Sequence, residues 1–172
     1  MSSHERASRR VLLAGLLAVP LAGCFRPLYA PDATGASVAT TLKSIEVAPI
    51  PDRLGHFLRD ELVFALDGSG LNDVPKRFRL EITTKETLSA PVFDTNVGRA
   101  DAGSILVEAF YKLKPAGSDT VRLEGRAFTT VTYDRSQQRF ANVRAARDAE
   151  IRATRVLADQ IRTRLAAGLA GA

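Results

Sequence analysis

Few side chains in this sequence could break or form covalent bonds. The 172 residues include one cysteine, Cys24, and two histidines, of which only His56 lies beyond the first 23 residues. His56 precedes Phe57 in an amphipathic stretch, and no glycine-flanked serine stands in a strand-to-helix turn as a nucleophile requires. One cysteine and one histidine are too few for a metal site built on those ligands. The sequence therefore predicts neither catalysis nor a cofactor.

The acidic residues do not form a calcium-binding loop, and the glycines do not form a phosphate-binding loop. No calcium-loop spacing connects the carboxylates of the first predicted helix, which are Asp52, Asp60, Glu61 and Asp67. Glycines recur between Gly98 and Gly103, but the strand-to-helix setting of a phosphate-binding loop is absent there. The sequence therefore argues against an enzyme or a metal protein and favours a protein that binds.

The N-terminal residues are typical of an export signal. A basic head with three arginines up to Arg10 precedes an apolar run from Val11 to Ala22. A membrane-spanning helix needs about 20 apolar residues, whereas this run is shorter and is interrupted by Pro20. Small residues then lead to Cys24, as they do before a cleavage point. We therefore predict that residues 1–23, a signal peptide, are removed.

The residues around Cys24 resemble the lipobox of bacterial lipoproteins, in the order Leu21, Ala22, Gly23, Cys24. The resemblance implies that Cys24 becomes the first residue of the mature protein and carries acyl chains, which anchor stably when two or more are present. Phe25 is not the aspartate that retains many lipoproteins in the inner membrane, so the outer membrane is implied. The alternative is that Cys24 is a small hydrophobic residue after an ordinary signal peptide. As the only cysteine, it forms no internal disulfide.

The rest of the chain suits one domain of ordinary size. The full sequence has a formal net charge of +5, which is too small to indicate nucleic acid and suits an anionic lipid or glycolipid. Residues 24–41 contain Pro27, Pro31 and Gly35 without a helical or strand period, so we predict an acylated N-terminus and tether there. Residues 42–168 are predicted to form a single domain with its own core.

Hydrophobic periodicity predicts the order strand, helix, three strands and helix. Strands with a period of two are predicted over a short segment that ends at Val47 and begins at Ile45 or already at Leu42, and over Arg77–Leu88, Ser104–Lys114 and Thr120–Asp134. Helices are predicted over Asp52–Gly68, with Asp52 as the cap, and over about Gln138–Gly168. Ser89–Gly103 is predicted to be a mobile connection. The predicted fold class is α+β, with two helices packed on a four-stranded, mostly antiparallel sheet.

Basic residues occupy strand positions predicted to face away from the helices. Seven of them could meet across neighbouring strands as a cationic ladder: Arg77, Arg79, Lys85, Lys112, Lys114, Arg122 and Arg126. Such a ladder would make charge-assisted bonds to phosphates or carboxylates. Phe110 and Phe128 are predicted to point the same way, as a contact surface or covered by the Ser89–Gly103 connection. Three glutamates share this face, so an ordinary solvated surface is the alternative.

The opening of the predicted mature chain, Cys24–Tyr29, resembles the CGFxPLY opening of the LPS-assembly lipoprotein LptE family, without the glycine after the cysteine. Ile45–Val47 and Pro51–Gly55 are similar to that family's first strand and the start of its first helix. Leu157–Leu165 is similar to its last helix. The similarity spans most of the chain after residue 23, and the lipobox and the opening motif are its distinctive parts.

This resemblance implies a partner of the β-barrel translocon LptD in the outer membrane. A protein of this family plugs the barrel, assists its folding and binds lipopolysaccharide on its way to the cell surface. The basic strand residues would then contact lipid A phosphates or core sugars from a domain anchored at the periplasmic face. The alternative is an auxiliary or pilot lipoprotein of another envelope lipid transporter or outer-membrane pore. A periplasmic hydrolase is disfavoured by the single histidine.

Overall fold

Three helices and four strands make up the described part of the protein. The computed structural model describes residues 37–68, 74–94 and 99–170, and only the backbone for residues 90–94 and 99–101. The elements in chain order are α1 (Val38–Lys43), β1 (Ile45–Val47), α2 (Asp52–Asp67), β2 (Phe78–Asp94), β3 (Arg99–Pro115), β4 (Leu123–Asp134) and α3 (Arg139–Ala170). This order confirms the predicted α+β fold class and adds the short helix α1.

The strands form one sheet in the order β1-β2-β3-β4. β1 pairs with β2 in parallel, whereas β3 pairs in antiparallel fashion with β2 and with β4. Successive side chains of a strand point to opposite faces, and the odd-numbered residues of β3 from Ile105 to Leu113 are buried. One face of this mostly antiparallel sheet therefore belongs to the core, as predicted.

β2 and β3 are longer than the sequence predicts. Both strands extend through most of Ser89–Gly103, so the prediction of a mobile connection over that range is wrong. Pro91 lies where the register of the pairing shifts, and such an irregularity accommodates a proline within a strand. Gly103 is opposite Tyr133, whose ring occupies the space that a side chain at Gly103 would need. Residues 95–98, between the two strands, lie outside the described residues.

α2 forms because apolar residues recur every three or four positions along it. Leu54, Leu58 and Leu62 are buried on its inner side, and full burial of each such side chain contributes about 1.5–3 kcal/mol. The helix ends at Gly68, which has a φ of 79° and donates its N–H to the Phe64 carbonyl. Glycine adopts this left-handed conformation without strain, so the predicted end of the helix is confirmed.

The start of α2 differs from the prediction, because Asp52 does not cap the helix. Pro51 is in the cap position, and no side chain accepts a cap hydrogen bond. Asp52 is the first helical residue and has a φ of 68°, which aspartate tolerates better than most residues do. Gly55 then packs tightly on the preceding turn, because a Cβ there would lie 2.6 Å from Cγ2 of Ile50. The helix start is thus fixed by close backbone packing.

α1 includes the last residues of the segment predicted as a tether. Ser37 caps it by accepting a hydrogen bond from the Ala39 N–H at 3.1 Å. Leu42 is 2% exposed and belongs to the core, where the sequence allowed it to begin a strand. Lys76 holds the end of α1 by donating from Nζ to the Lys43 carbonyl at 2.8 Å. The folded part of the chain therefore includes the last residues of the predicted tether.

α3 is the longest helix and packs beside α2 on the same face of the sheet. Its apolar stripe is buried as predicted, including Leu157, Ile161 and Leu165. Thr154 lies in the same row and is fully buried, and its hydroxyl donates to the Ile151 carbonyl at 2.9 Å. This hydrogen bond satisfies a polar group that burial would otherwise penalise.

α3 also covers the outer edge of β4. Three of its side chains donate to strand carbonyls: Arg152 to Thr132 at 3.2 Å, Gln160 to Phe128 at 3.3 Å, and Arg164 to Arg126. The donors are spaced by multiples of four along the helix, which keeps them on one side. These three carbonyls of the β4 edge are therefore bonded within the molecule, and an exposed edge of this kind otherwise invites pairing with another chain.

The opposite edge of the sheet is covered over a much shorter length. β1 pairs only with Phe78–Leu80 of β2. Ala48 extends the contact by donating its N–H to the Leu80 carbonyl at 2.9 Å. Of the strands in the described ranges, none pairs with β2 on that side beyond Leu80. The two edges of the sheet are thus unequal.

Two ion pairs connect α2 to α3. Nε of Arg53 donates to a Glu150 carboxylate oxygen at 3.0 Å, and Glu150 is 4% exposed. Nε of Arg155 lies 3.1 Å from the carboxylate of Glu61, whose side chain is 31% exposed. A buried carboxylate depends on its cation far more than an exposed one does. The two pairs should therefore differ in their effect on stability.

We predict that Arg53→Met lowers the free energy of unfolding by about 1–3 kcal/mol, because it leaves the buried Glu150 carboxylate without its cation. Arg155→Met is the matched control and should cost less than about 1 kcal/mol. Urea unfolding of both variants measures the difference. Equal losses would contradict the view that burial of the carboxylate sets the cost.

Candidate functional site

Five of the seven basic residues predicted as a ladder lie on the side of the sheet away from the helices, here called the outer face. They are Arg79, Lys85, Lys112, Lys114 and Arg126, and they alternate with buried residues along β2, β3 and β4. The register places Arg79 opposite Lys114. The strands therefore bring most of the predicted basic residues onto one surface.

Arg77 and Arg122 lie just before the strands that form that surface. Arg77 precedes β2, and its backbone N–H donates to the Ser44 carbonyl at 2.8 Å. Arg122 precedes β4, and its guanidinium carbon lies 5.4 Å from the ring centroid of Phe78, a buried residue. The prediction that both residues stand on strands of the ladder is wrong, because β2 and β4 begin after them.

Glutamates divide the charge of the outer face into local ion pairs. Nζ of Lys114 lies 2.8 Å from the carboxylate of Glu81, and Nε of Arg79 lies 3.9 Å from it. The hydrogen bond from Lys114 lowers the pKa of Glu81, and the same bond raises the pKa of Lys114. Arg126 forms an ion pair with Glu108. The surface is therefore a mixed one with a small excess of positive charge.

Arg126 lies between the two exposed aromatic side chains of the outer face. Its guanidinium carbon is 5.9 Å from the Phe110 ring centroid and 5.1 Å from that of Phe128. The two residues are 46% and 54% exposed, which confirms that they point outward. Each cation–aromatic contact of this kind contributes about 0.5–1 kcal/mol at an exposed site. The arrangement holds a guanidinium group beside an apolar surface.

A hollow of about 660 Å³ lies on the outer face beside Arg126. Its charged lining comes from Arg126, Lys112, Glu81 and Glu124, and Phe110 supplies an apolar wall. Lys112 stands opposite Glu81 on one side and Glu124 on the other. Cations beside carboxylates and an aromatic ring suit a ligand that combines phosphate, hydroxyl and apolar groups. The lining includes no histidine or cysteine.

Gly125 leaves room for the ring of Tyr111 beside this hollow. The two residues are opposite each other in the register, and Tyr111 is 3% exposed. A Cβ at Gly125 would lie 2.5 Å from the Tyr111 hydroxyl oxygen. A tyrosine that crosses over a glycine of the neighbouring strand fills the space that the glycine leaves. A glycine inside a predicted strand is the sequence signal for such a close approach.

His56 stands apart from the hollow. It is exposed on α2, and its Nε2 lies 3.5 Å from the carboxylate of Asp60, one helical turn away. Across residues 37–68, 74–94 and 99–170, no group of three His, Cys, Asp or Glu side chains could hold a metal ion. Over the same ranges, no helix combines the length and apolar character needed to cross a membrane.

Cys24, the predicted lipid-attachment residue, lies outside the described residues. The same holds for the predicted signal peptide, residues 1–23, and for most of the predicted tether, residues 24–41. The assignments of these segments stay predictions.

A second hollow lies where α2 begins, and no sequence pattern indicated it. It has a volume of about 250 Å³ and is lined by Asp52, Arg53, Leu54, Thr84, Glu86 and Glu150. Burial raises the pKa of Glu86, the negative charge of Glu150 adds to this, and Arg53 opposes it. The lining comes from α2, β2 and α3, which are far apart in the sequence, so local periodicity carries no signal for it.

Among the solved structures that resemble this fold are those of bacterial lipoproteins. A Caulobacter crescentus protein classed as a lipoprotein is 26% identical, with a TM-score of 0.66 over 78% of this chain and 97% of that one. A minor lipoprotein from Acinetobacter baumannii is 11% identical, with a TM-score of 0.52 over 74% and 93% of the two chains. This chain shares its fold with bacterial lipoproteins. The resemblance to the Caulobacter crescentus protein also supports a lipoprotein nature for this chain and thus a lipid-anchored location in the envelope.

A more distant resemblance is to rare lipoprotein B from Shewanella oneidensis. It is 12% identical, with a TM-score of 0.40 over 74% of this chain and 93% of that one, which is too low to carry an argument. No protein-family model matches the sequence, and no curated protein matches it.

We predict that Gly125→Ala lowers the free energy of unfolding by about 1–3 kcal/mol, because the added methyl group overlaps the Tyr111 ring. Combining it with Tyr111→Leu should cost less than the sum of the two single variants, since the smaller side chain removes the overlap. Thermal unfolding of the three variants measures this coupling. Strictly additive losses would contradict the contact.

We predict that Glu86→Gln stabilises the protein at neutral pH. The pKa of Glu86 is raised in the folded state, so its favourable contribution is complete below the ordinary pKa of a glutamate and is lost as pH rises through the folded value. Glutamine cannot ionise, and the gain at pH 7 should be below about 1 kcal/mol because the carboxyl group is largely solvated. Denaturant unfolding at neutral and acidic pH measures it. A gain that persists after Glu86 is protonated would contradict this account.

Proposed function

We propose that this chain is an outer-membrane lipoprotein of the LptE type. It complexes with the LptD β-barrel, plugs and assists that barrel, and takes part in lipopolysaccharide assembly at the cell surface. The observation that carries the proposal is the hollow of the outer face, where Lys112 and Arg126 stand beside the exposed ring of Phe110. The resemblance of Cys24–Tyr29 to the opening of that family supports it, with the anchor on the periplasmic face.

Lipopolysaccharide presents phosphates, sugar hydroxyls and acyl chains together. Arg126 offers a planar guanidinium group that can bind a phosphate through two parallel hydrogen bonds. Lys112 adds a second positive charge, while Glu81 and Glu124 can accept hydrogen bonds from sugar hydroxyls. Phe110 and Phe128 provide apolar surface next to these polar groups. The outer face thus matches each chemical component of such a glycolipid.

In this proposal the protein acts by docking and not by catalysis. The lining of the hollow combines cations, carboxylates and an aromatic ring, and none of these forms a nucleophile and base pair of the kind that hydrolases use. Lipid-anchoring through Cys24 would keep the domain close to the barrel and to the glycolipid that the barrel delivers.

Identifying the protein that binds this chain in the membrane tests the proposal. The tagged chain is solubilised from outer membranes and its stoichiometric partner is identified. A large β-barrel supports the LptD assignment, whereas an ATPase with a permease would indicate an auxiliary lipoprotein of a lipid transporter. The intact mass tests the anchor, because a chain that retains residues 1–23 and a free thiol at Cys24 would contradict it.

We predict that Lys112→Glu combined with Arg126→Glu weakens lipopolysaccharide binding by about tenfold or more, since each charge-assisted bond contributes at least about 1.4 kcal/mol. The loss should shrink as salt screens the charges. Arg122→Glu is the matched control, because Arg122 precedes β4 and does not line the hollow, and it should change the affinity less than about threefold. Titration with lipopolysaccharide at two salt concentrations measures both. An equal loss in the control would assign the effect to net charge alone.

A further inference from the structure

α3 extends beyond α2 at the end where both helices begin. Glu150 pairs with Arg53 in the first turn of α2, and the guanidinium carbon of Arg147 lies 5.6 Å from the Phe57 ring centroid. These α3 residues therefore face α2. α3 itself begins at Arg139, about three helical turns before Glu150. The first turns of α3 have no part of α2 beside them.

The side of α3 that meets α2 continues past it as an exposed apolar stripe. Residues spaced three, four or seven apart lie on the same side of a helix, so Phe140 and Val143 line up with Arg147 and Glu150. Phe140 is 75% exposed and Val143 is 58% exposed. Where α2 is present, the corresponding side of α3 is buried, as at Thr154.

β2 continues in the same direction on the other side of this space. Thr84 and Glu86 line the second hollow together with the first residues of α2. Leu88 is the next β2 residue on that side, about 7 Å further along the strand, and it is 64% exposed. Leu88, Phe140 and Val143 therefore border the space that α2 would fill if it began earlier. These three residues are called the shelf.

Arginines flank the α3 side of the shelf. The sequence from Arg135 to Arg147 contains four arginines and no acidic residue. The guanidinium carbon of Arg144 lies 5.8 Å from the Phe140 ring centroid. The start of α3 adds the positive end of the helix dipole. An occupant that complements the shelf is therefore apolar where it meets Leu88 and Val143 and acidic where it meets the arginines.

The shelf suits a polypeptide better than an acyl chain. Sites for small apolar ligands enclose most of the ligand surface, whereas the three shelf residues are all more than half exposed. The space continues the path of a helix that lies on the sheet, so its width is that of a polypeptide segment, about 10 Å for a helix. Burial under such a segment would remove the exposed apolar surface from water.

We propose that the shelf docks an apolar segment of the barrel partner that carries acidic residues. This inference rests on the proposed function, because it takes the barrel as the partner. Leu88, Phe140 and Val143 bury the apolar side chains of the segment, and the arginines at the start of α3 pair with its carboxylates. The protein contact then lies on the helix side of the sheet, and the outer face stays open to glycolipid.

Photocrosslinking in intact cells tests the proposal with the full, acylated chain. Photoreactive benzoylphenylalanine replaces Phe140 or Val143 and, as the matched control, Phe64, which is 70% exposed on α2. The expected result is an adduct with the barrel polypeptide whose yield from positions 140 and 143 exceeds that from position 64 by about fivefold or more. The crosslinked barrel peptide should contain Asp or Glu beside apolar residues.

Charge reversal tests the electrostatic part of the contact. Arg139→Glu combined with Arg144→Glu should lower the adduct yield from position 143 by about fivefold or more, because the carboxylates of the partner are then repelled. Arg122→Glu, remote from the shelf, is the control and should leave the yield unchanged. An unchanged yield in the double variant would overturn the proposed acidic character of the partner segment.

The outcomes separate this inference from the proposed function. If the barrel co-purifies with the wild-type protein but positions 140 and 143 give no adduct above the control, the shelf proposal is wrong and the proposed function stands. An adduct with lipopolysaccharide in place of a polypeptide would also overturn the shelf proposal. If no barrel co-purifies, the proposed function fails and the shelf proposal fails with it.

Discussion

The packing of α2 and α3 on one face of the sheet determines which face each strand residue occupies. The buried leucine and isoleucine side chains of α3 belong to the same core as Ile105, Val107 and Leu113 of β3. Because strand side chains alternate, the residues between these must point away from the helices. Phe110 and Phe128 therefore remain in water with the basic residues, and exposed apolar surface costs about 25 cal/mol per Å² relative to burial. The alternation of side chains along the strands therefore produces both the buried core and the outer face.

The molecule has two different kinds of exposed surface, one on each side of the sheet. On the outer face, charged and aromatic side chains from three strands surround a shallow hollow. On the helix side, the core is complete wherever both long helices are present and open where α3 runs alone, before Glu150. Phe140 and Val143 are exposed there because α2 begins too late to cover them. A difference in helix length thus creates an exposed apolar surface without any change in the sheet.

Local periodicity made the order and type of the long elements predictable. Leu58 and Leu62 on α2 and Ile105 and Val107 on β3 follow helical and strand spacing that burial enforces. The extent of β2 and β3 was not predictable, because Pro91 signals a break and only the pairing with β3 shows that the strand continues. Placement of Arg122 depended on where β4 begins.

Two features depend on residues that are distant in the sequence: the second hollow, and the hydrogen bonds from α3 to β4. No local sequence pattern therefore predicts either feature. Glu86 and Glu150, for example, meet only because β2 and α3 pack together. The outer-face residues could be predicted from the sequence. The alternation of side chains along each strand is enough to assign Lys112, Phe110 and Arg126 to one face of the sheet. Their division into ion pairs needed the three-dimensional structure, which brings Lys114 next to Glu81 and Arg126 next to Glu108.

The hydrogen bonds from α3 to β4 limit how copies of this protein can associate. A fibre built by strand addition requires every molecule to offer two accepting edges, one for each neighbour. The β4 carbonyls of Arg126, Phe128 and Thr132 are already occupied by donors from α3, while β1 leaves most of β2 uncovered. Strand addition by another copy is therefore favoured at the uncovered part of β2 over the β4 edge.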